Sequence, residues 1–154
     1  MAAHTVHPWP AGKPTPEFAL PDLDGKVWTL DALHGKPLLL NFWASWCEPC
    51  RTEMPSLELL ATRHERVGLT VLAVNYREGR PAIQRFLGLQ PVSLPILLDR
   101  EGDASAAWTP RVFPTTVLID RRGTPRHQVM GGLDWLGADA AALVLPLLGR
   151  DRSA

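Results

Sequence analysis

A nearly continuous apolar run from Leu38 to Trp43 decides which class of fold this chain can adopt. The run has the length of one strand and falls far short of the roughly 18 apolar residues that a membrane span needs. A strand that is apolar at successive positions is typically buried on both faces, as in the interior of a parallel sheet. A helical pattern follows directly, from about Cys47 to Val67, and Gly68 ends it. The run therefore predicts the first strand–helix unit of an α/β sheet.

The rest of the chain alternates between strand and helix patterns. A β-hairpin is predicted over residues 18–29, further strands over 69–75, 94–98, 115–120 and 125–130, and helices over 81–87, 103–108 and 136–148. This alternation predicts a mostly parallel sheet with helices on both faces, and the closing pair of strands makes the sheet mixed. We assign residues 1–13 to a flexible N-terminal tail, 14–150 to a single domain and 151–154 to a C-terminal tail.

Charge and length exclude several classes of function. The chain has 154 residues with 16 basic and 16 acidic side chains, so its formal net charge is zero. A nucleic-acid partner is not expected, because the basic surplus of such proteins is missing. The N-terminal residues have neither the basic nor the apolar segment of a secretory signal, so the protein either stays in the cytosol or has lost a leader. No apolar run reaches the length of a membrane span.

The two cysteines of the chain, Cys47 and Cys50, flank Glu48 and Pro49 where the buried strand ends and the helix begins. A thiol in a first helical turn faces unpaired backbone N–H groups and the positive end of the helix dipole, which favour the thiolate. We predict that Cys47 is exposed and attacks a disulfide, and that Cys50 is sheltered and resolves the mixed disulfide. Glu48 opposes the thiolate electrostatically, and Pro49 stiffens the loop.

Two other interpretations of the cysteine pair stay open on spacing alone. The pair can be two small core residues, or half of a zinc site. Zinc needs two further ligands, but the chain has no other cysteine and its five histidines are scattered. We therefore predict redox chemistry without a metal or another cofactor.

Four segments resemble one family of redox proteins. They are residues 16–26 (PEFALPDLDGK), 35–37 (GKP), 41–50 (NFWASWCEPC) and 112–120 (VFPTTVLID). Together they resemble the TlpA/ResA/CcmG-like group of thiol–disulfide oxidoreductases. The resemblance covers nearly the whole chain and implies a thioredoxin-like fold, with a central mixed sheet flanked by helices, an N-terminal β-hairpin and a central βα insertion.

The resemblance also implies roles for individual residues. Pro114 matches the family's cis-proline, which turns the backbone of Phe113 towards an extended substrate strand. Asn41 stands where thioredoxin itself has a buried aspartate. A buried glutamate is instead expected near the end of the next core strand, where Glu78 lies, and would carry the proton that exchange requires. The residues expected to contact substrate are Trp46, Glu48, Pro49, Phe113 and Pro114.

The resemblance favours a reductant of disulfides in specific partner proteins, as in cytochrome c assembly or a similar pathway. It implies an upstream thiol protein as electron donor, a periplasmic or otherwise extracytoplasmic location, and a monomer. One departure bears on cytochrome c assembly, since CcmG-like members often have an acid directly after the cis-proline and this chain has Thr115.

Two alternatives use the same cysteines differently. A copper chaperone would hold Cu(I) with the two thiolates, with Met54 nearby, but the wider cysteine spacing and the histidine of Sco-like proteins are absent. A peroxiredoxin-like peroxidase would need a threonine or serine three residues before its cysteine, and Ala44 occupies that place.

Overall fold

The structure is a computed structural model that describes residues 4–149. In chain order its elements are β1 (Thr5–Pro8), β2 (Ala19–Pro21), β3 (Val27–Thr29), β4 (Leu38–Trp43), α1 (Glu48–Arg63), β5 (Thr70–Tyr76), α2 (Arg80–Leu89), β6 (Ile96–Asp99), α3 (Asp103–Trp108), β7 (Thr115–Ile119), β8 (Pro125–Met130) and α4 (Ala138–Leu148). Short 3₁₀ turns cover Asp31–Leu33 and Glu65–Val67. The order of strands and helices predicted from the sequence is confirmed from β2 onwards, whereas β1 was not predicted.

Six strands form one mixed sheet, in the order β1-β8-β7-β4-β5-β6. The pairs β4–β5 and β5–β6 are parallel, whereas β7 runs antiparallel to both β4 and β8. Strands β2 and β3 form a separate two-stranded hairpin. The mixed sheet and the N-terminal hairpin are therefore confirmed, and they place the end of β4 in the middle of one sheet edge.

Strand β4 is buried on both faces, as its apolar pattern predicts, and each of its residues is at most 1% exposed. On one face, Leu39 and Trp43 join a core made with α1, α2 and α4. On the other face, Leu40 and Phe42 pack with α3 and the N-terminal hairpin. The sheet thus has helices on both sides. No helix within residues 4–149 combines the length and the apolar character that crossing a membrane requires.

The N-terminal segment lies in the sheet rather than in a tail. Thr5–Pro8 pair antiparallel with residues 127–130 of β8, and Trp9 packs on Trp108 with ring centroids 5.5 Å apart. The expectation of a flexible tail over residues 1–13 is therefore wrong for this strand. All four of its side chains are exposed, so its sequence shows no alternation, and backbone hydrogen bonds alone define it. Residues 1–3 and the C-terminal tail predicted over 151–154 lie outside the described residues, and the domain bounds 14–150 stay a prediction.

Helix α1 starts at the cysteine motif and continues through Pro55. Cys47 is its N-cap, and Pro49 occupies the first turn, where a missing N–H costs no hydrogen bond. Pro55 has no N–H for the carbonyl of Arg51, and the side chain of Gln90 donates to that carbonyl instead, at 3.0 Å. The start of α1 is thereby tied to the end of α2.

Candidate active site

The two cysteines form a disulfide at the start of α1, with their Cα atoms 5.3 Å apart. The backbone N–H of Cys50 donates to the Sγ of Cys47 at 3.3 Å, so the first helical turn points a donor at this sulfur, as predicted. Cys47 is 5% exposed and Cys50 is fully buried. Cys47 is the more accessible of the two, but it is buried, so the expectation of an exposed Cys47 is wrong for the disulfide form.

A buried carboxyl that the sequence reasoning missed lies one turn further along α1. Glu53 is 4% exposed and accepts hydrogen bonds from Trp135 Nε1 at 3.0 Å, Leu133 N at 3.1 Å and Asn41 Nδ2 at 2.8 Å. Burial raises the pKa of Glu53 from 4.5 to about 7, against the opposing effect of these hydrogen bonds. Cys50 and Glu53 lie three positions apart, which places both on one helix face.

A signal for Glu53 was present in the sequence. Residues 50, 53, 57 and 60 recur at helical spacing, and all four are buried in α1. A glutamate inside an otherwise apolar stripe marks a buried acid. The pattern does not show which groups pair with that acid, because Leu133 and Trp135 are about 80 residues away along the chain.

Asn41 connects Glu53 to the neighbouring strand. Its Nδ2 donates both to Glu53 and to Thr116 Oγ1 at 2.9 Å, whereas its own Oδ1 is buried without a hydrogen-bond partner. The position where thioredoxin has an aspartate thus holds an amide that contacts a carboxyl from α1.

Glu78, the acid expected from the resemblance, lies beside the loop that precedes the cysteines. It is half-buried, and its carboxylate accepts from Ser45 N at 2.7 Å, Ser45 Oγ at 2.5 Å and Asn75 Nδ2 at 2.8 Å. Its contacts are therefore with Ser45, just before Trp46, and with Asn75 at the end of β5. Proton transfer by Glu78 stays a prediction.

Aromatic side chains border the cysteines on the side of β7. The bond between Phe113 and Pro114 is cis, as predicted. The ring of Phe113 lies 6.2 Å from that of Trp46, which is 64% exposed, and 4.7 Å from that of Tyr76. Within residues 4–149, neither the N–H nor the C=O of Phe113 has a hydrogen-bond partner. Thr115 is buried, and its Oγ1 donates to the carbonyl of Val112 at 2.6 Å.

A groove of about 490 Å³ borders the cysteine motif at Glu48 and Pro49. Its walls are Glu48, Pro49, Thr52, Glu53, Ser56, Gly132, Leu133 and Asp134. Glu48 is exposed at its rim. Gly132 approaches Pro49 so closely that a Cβ at this position would lie 3.3 Å from Pro49 Cβ. Glu53 therefore has a path to solvent beside the cysteine motif.

The copper-chaperone alternative requires side chains that can hold a metal ion. The part of the chain that the structure describes contains no group of three or more His, Cys, Asp or Glu side chains placed to hold a metal ion. Met54, expected near a copper ion held by the two thiolates, is fully buried on α1 and belongs to the hydrophobic core.

This sheet, with a helix-capping cysteine pair at one edge and a cis-proline on the neighbouring strand, makes the protein a thioredoxin-fold thiol–disulfide oxidoreductase. The sequence profile of the AhpC/TSA family matches residues 11–128, and the chain belongs to that family. The resemblance stated from the sequence motifs is thereby confirmed.

Several known proteins are similar to this chain in sequence and in fold. The thiol-disulfide oxidoreductase ResA of Geobacillus thermodenitrificans is 35% identical over 120 residues, which are 78% of this chain and 69% of the relative. A putative thiol:disulfide interchange protein DsbE from Chlorobium tepidum has a TM-score of 0.81 at 31% identity, covering 88% of this chain and 95% of that one. A secreted Mycobacterium tuberculosis disulfide oxidoreductase, homologous to E. coli DsbE, has a TM-score of 0.63 at 28% identity, covering 71% and 81%.

Proposed function

We propose that this protein reduces disulfides in specific partner proteins outside the cytoplasm, in cytochrome c assembly or a similar pathway. An upstream thiol protein would return it to the dithiol state. The observation that carries the proposal is the Cys47–Cys50 disulfide at the start of α1, with the Cys50 N–H directed at the Cys47 sulfur. Its relatives support the setting, since one similar structure is of a secreted disulfide oxidoreductase.

The reaction is a two-electron thiol–disulfide exchange between the reduced Cys47–Cys50 pair and one disulfide of the partner. The Cys47 thiolate attacks one sulfur of the partner's disulfide, a mixed disulfide forms, and the partner's other sulfur leaves as a thiolate. The Cys50 thiolate then attacks Cys47 Sγ. The Cys47–Cys50 disulfide forms, and the partner leaves as a dithiol. The greater exposure of Cys47 supports its role as the attacking residue.

Glu53 supplies the base for the second step. Cys50 is fully buried and needs a proton acceptor before it can attack, and Glu53 lies on the same helix face one turn away. A carboxyl whose pKa is raised to about 7 by burial exchanges protons readily at neutral pH. The groove beside Pro49 carries the proton to solvent. Burial next to the cysteine helix supports Glu53 over Glu78 in this role.

The partner binds across the cysteine motif as an extended strand. The unpaired N–H and C=O of Phe113 offer it two backbone hydrogen bonds, and cis Pro114 has no N–H that competes for the sulfurs. Trp46 provides an exposed aromatic surface on one side. Glu48 and Pro49 border the partner on the groove side.

The test is capture of the mixed disulfide. In the Cys50→Ser variant the second step is blocked, so partner proteins of the native host should remain covalently attached and elute only with reductant. Cys47→Ser is the matched control and should capture none. Full reductase activity of Cys47→Ser would exclude the exchange mechanism, and captured proteins confined to the cytosol would exclude the proposed location.

Peroxidase activity stays an alternative within the same fold. Ala44 stands where a peroxidatic site needs a hydroxyl, which disfavours it. Turnover of hydrogen peroxide faster than reduction of protein disulfides would decide for it.

A further inference from the structure

The loop between β4 and α1 is held by two charged side chains that the exchange mechanism does not use. Ser45 donates its N–H to Glu78 at 2.7 Å and its Oγ to the same carboxylate at 2.5 Å. Its carbonyl accepts from Arg51 Nη1 at 2.9 Å. Every polar group of Ser45 is thus bound by an ionisable side chain, and such charge-assisted bonds are stronger than neutral ones.

Glu78 is itself anchored in the fold. Glu78 receives a bond from Asn75 Nδ2 at 2.8 Å, and its own N–H donates to Asn75 Oδ1 at 3.1 Å. Asn75 is fully buried in β5, directly beside Trp43. Arg77 adopts a left-handed backbone with φ 61°, which turns the chain back so that Glu78 reaches the loop. A non-glycine residue in this conformation is strained, so the surrounding contacts have to maintain it.

Trp46 directly follows Ser45 in this loop and is 64% exposed. Its ring contacts that of Phe113 in an edge-to-face geometry, with the centroids 6.2 Å apart. A side chain exposed to this extent is not positioned by burial. Its position depends on the backbone of Ser45, and hence on Glu78 and Arg51.

Resting on the proposed function, we propose that Glu78 and Arg51 are positioning residues that clamp Ser45, so that Trp46 is held ready for a protein partner. A platform ordered in advance loses less conformational entropy when the partner binds. The clamp therefore determines affinity for protein disulfides, while a small disulfide that does not need Trp46 reacts with Cys47 independently of it.

The experiment compares two disulfide substrates with the full chain. Insulin serves as the protein substrate, with dithiothreitol as electron source, and 5,5′-dithiobis(2-nitrobenzoic acid) as the small disulfide. For Glu78→Gln we expect KM for insulin to rise about tenfold at unchanged kcat, with the rate constant for the small disulfide within about twofold of wild type. Ser45→Ala should shift KM in the same direction, and Arg51→Lys should retain most of the wild-type affinity because it keeps a donor for the Ser45 carbonyl.

Glu65→Gln is the matched control, since Glu65 is exposed beyond the far end of α1 and should leave both substrates unaffected. Equal slowing of both substrates by Glu78→Gln would overturn the proposal and indicate a role in thiol chemistry. Unchanged KM in both Glu78→Gln and Ser45→Ala would also overturn it. If Glu78→Gln does not fold, Ser45→Ala decides. Failure of the proposed function would be distinct, because Cys50→Ser would then capture no partner protein from the native host.

Discussion

Replacing Glu53 with glutamine should make the protein more stable at alkaline pH and remove part of its pH dependence. In the native structure the Glu53 carboxyl is 4% exposed, and burial raises its pKa from 4.5 to about 7. Between these two values the folded chain holds a proton that the unfolded chain has released. The contribution of Glu53 to stability is therefore full below pH 4.5 and is lost as the pH rises through 7.

The size of the effect follows from these two pKa values. Linkage between pKa values of 4.5 and about 7 gives a loss of about 2–3 kcal/mol in the free energy of unfolding between pH 5 and pH 8. Glutamine has no charge to bury, so Glu53→Gln should not show this loss. The difference in free energy of unfolding between variant and wild type should therefore shift by about 2–3 kcal/mol in favour of the variant over that range.

Glutamine fits the site because Asn41 can reverse its side-chain amide. The Oε1 of residue 53 can still accept from Leu133 N and Trp135 Nε1. The new amide nitrogen would face Asn41 Nδ2, but the buried Oδ1 of Asn41 has no partner and can take its place. Thr116 Oγ1 can then donate to the same Oδ1. The same reversal accommodates protonated Glu53.

The assay is urea unfolding of the oxidised protein, followed by tryptophan fluorescence at pH 5 and pH 8. The oxidised form keeps both cysteines from titrating. Glu65→Gln, which removes an exposed acid, serves as control and should show no comparable pH-dependent difference. A difference between Glu53→Gln and wild type that is the same at both pH values would refute the raised pKa and with it the proposed base.

Two further predictions concern the close approach of Gly132 to the cysteine loop and the hydrogen bonds of Arg121, which lies far from the site. Gly132→Ala places a Cβ 3.3 Å from Pro49 Cβ and should slow insulin reduction several-fold, because it displaces the cysteine loop. The control is Gly88→Ala, whose Cβ meets nothing within 4 Å and which should leave the rate of insulin reduction unchanged. Equal rates in both variants would contradict the reasoning. Arg121 donates to three backbone carbonyls, so Arg121→Ala should lower the free energy of unfolding by about 2 kcal/mol in urea titrations. Arg122→Ala, at an exposed position, should leave it within about 0.5 kcal/mol, and a similar loss in both would mean that these bonds contribute nothing specific.

Local pattern was enough to predict the elements and the reactive pair. The apolar run from Leu38 to Trp43 became the strand with exactly those bounds because six successive buried positions leave no other arrangement within a sheet. The cysteines lie at the start of a helix because Cys47 can cap it and Pro49 tolerates its first turn. Cis Pro114 followed from the family resemblance of the residues around it.

Other features depend on residues that are distant along the chain. The exposed strand Thr5–Pro8 has no apolar pattern, and only its pairing with β8 reveals it. Glu53 becomes a buried carboxyl with hydrogen-bond partners because Leu133 and Trp135 pack against it. The contacts of Glu78 with Ser45 likewise join segments 33 residues apart. Periodicity in a sequence indicates which side of a strand or helix is buried. The hydrogen-bond partners of a polar group depend instead on how whole elements pack. Whether Glu53 or Glu78 is the buried acid near the cysteines was therefore decided only in the tertiary structure.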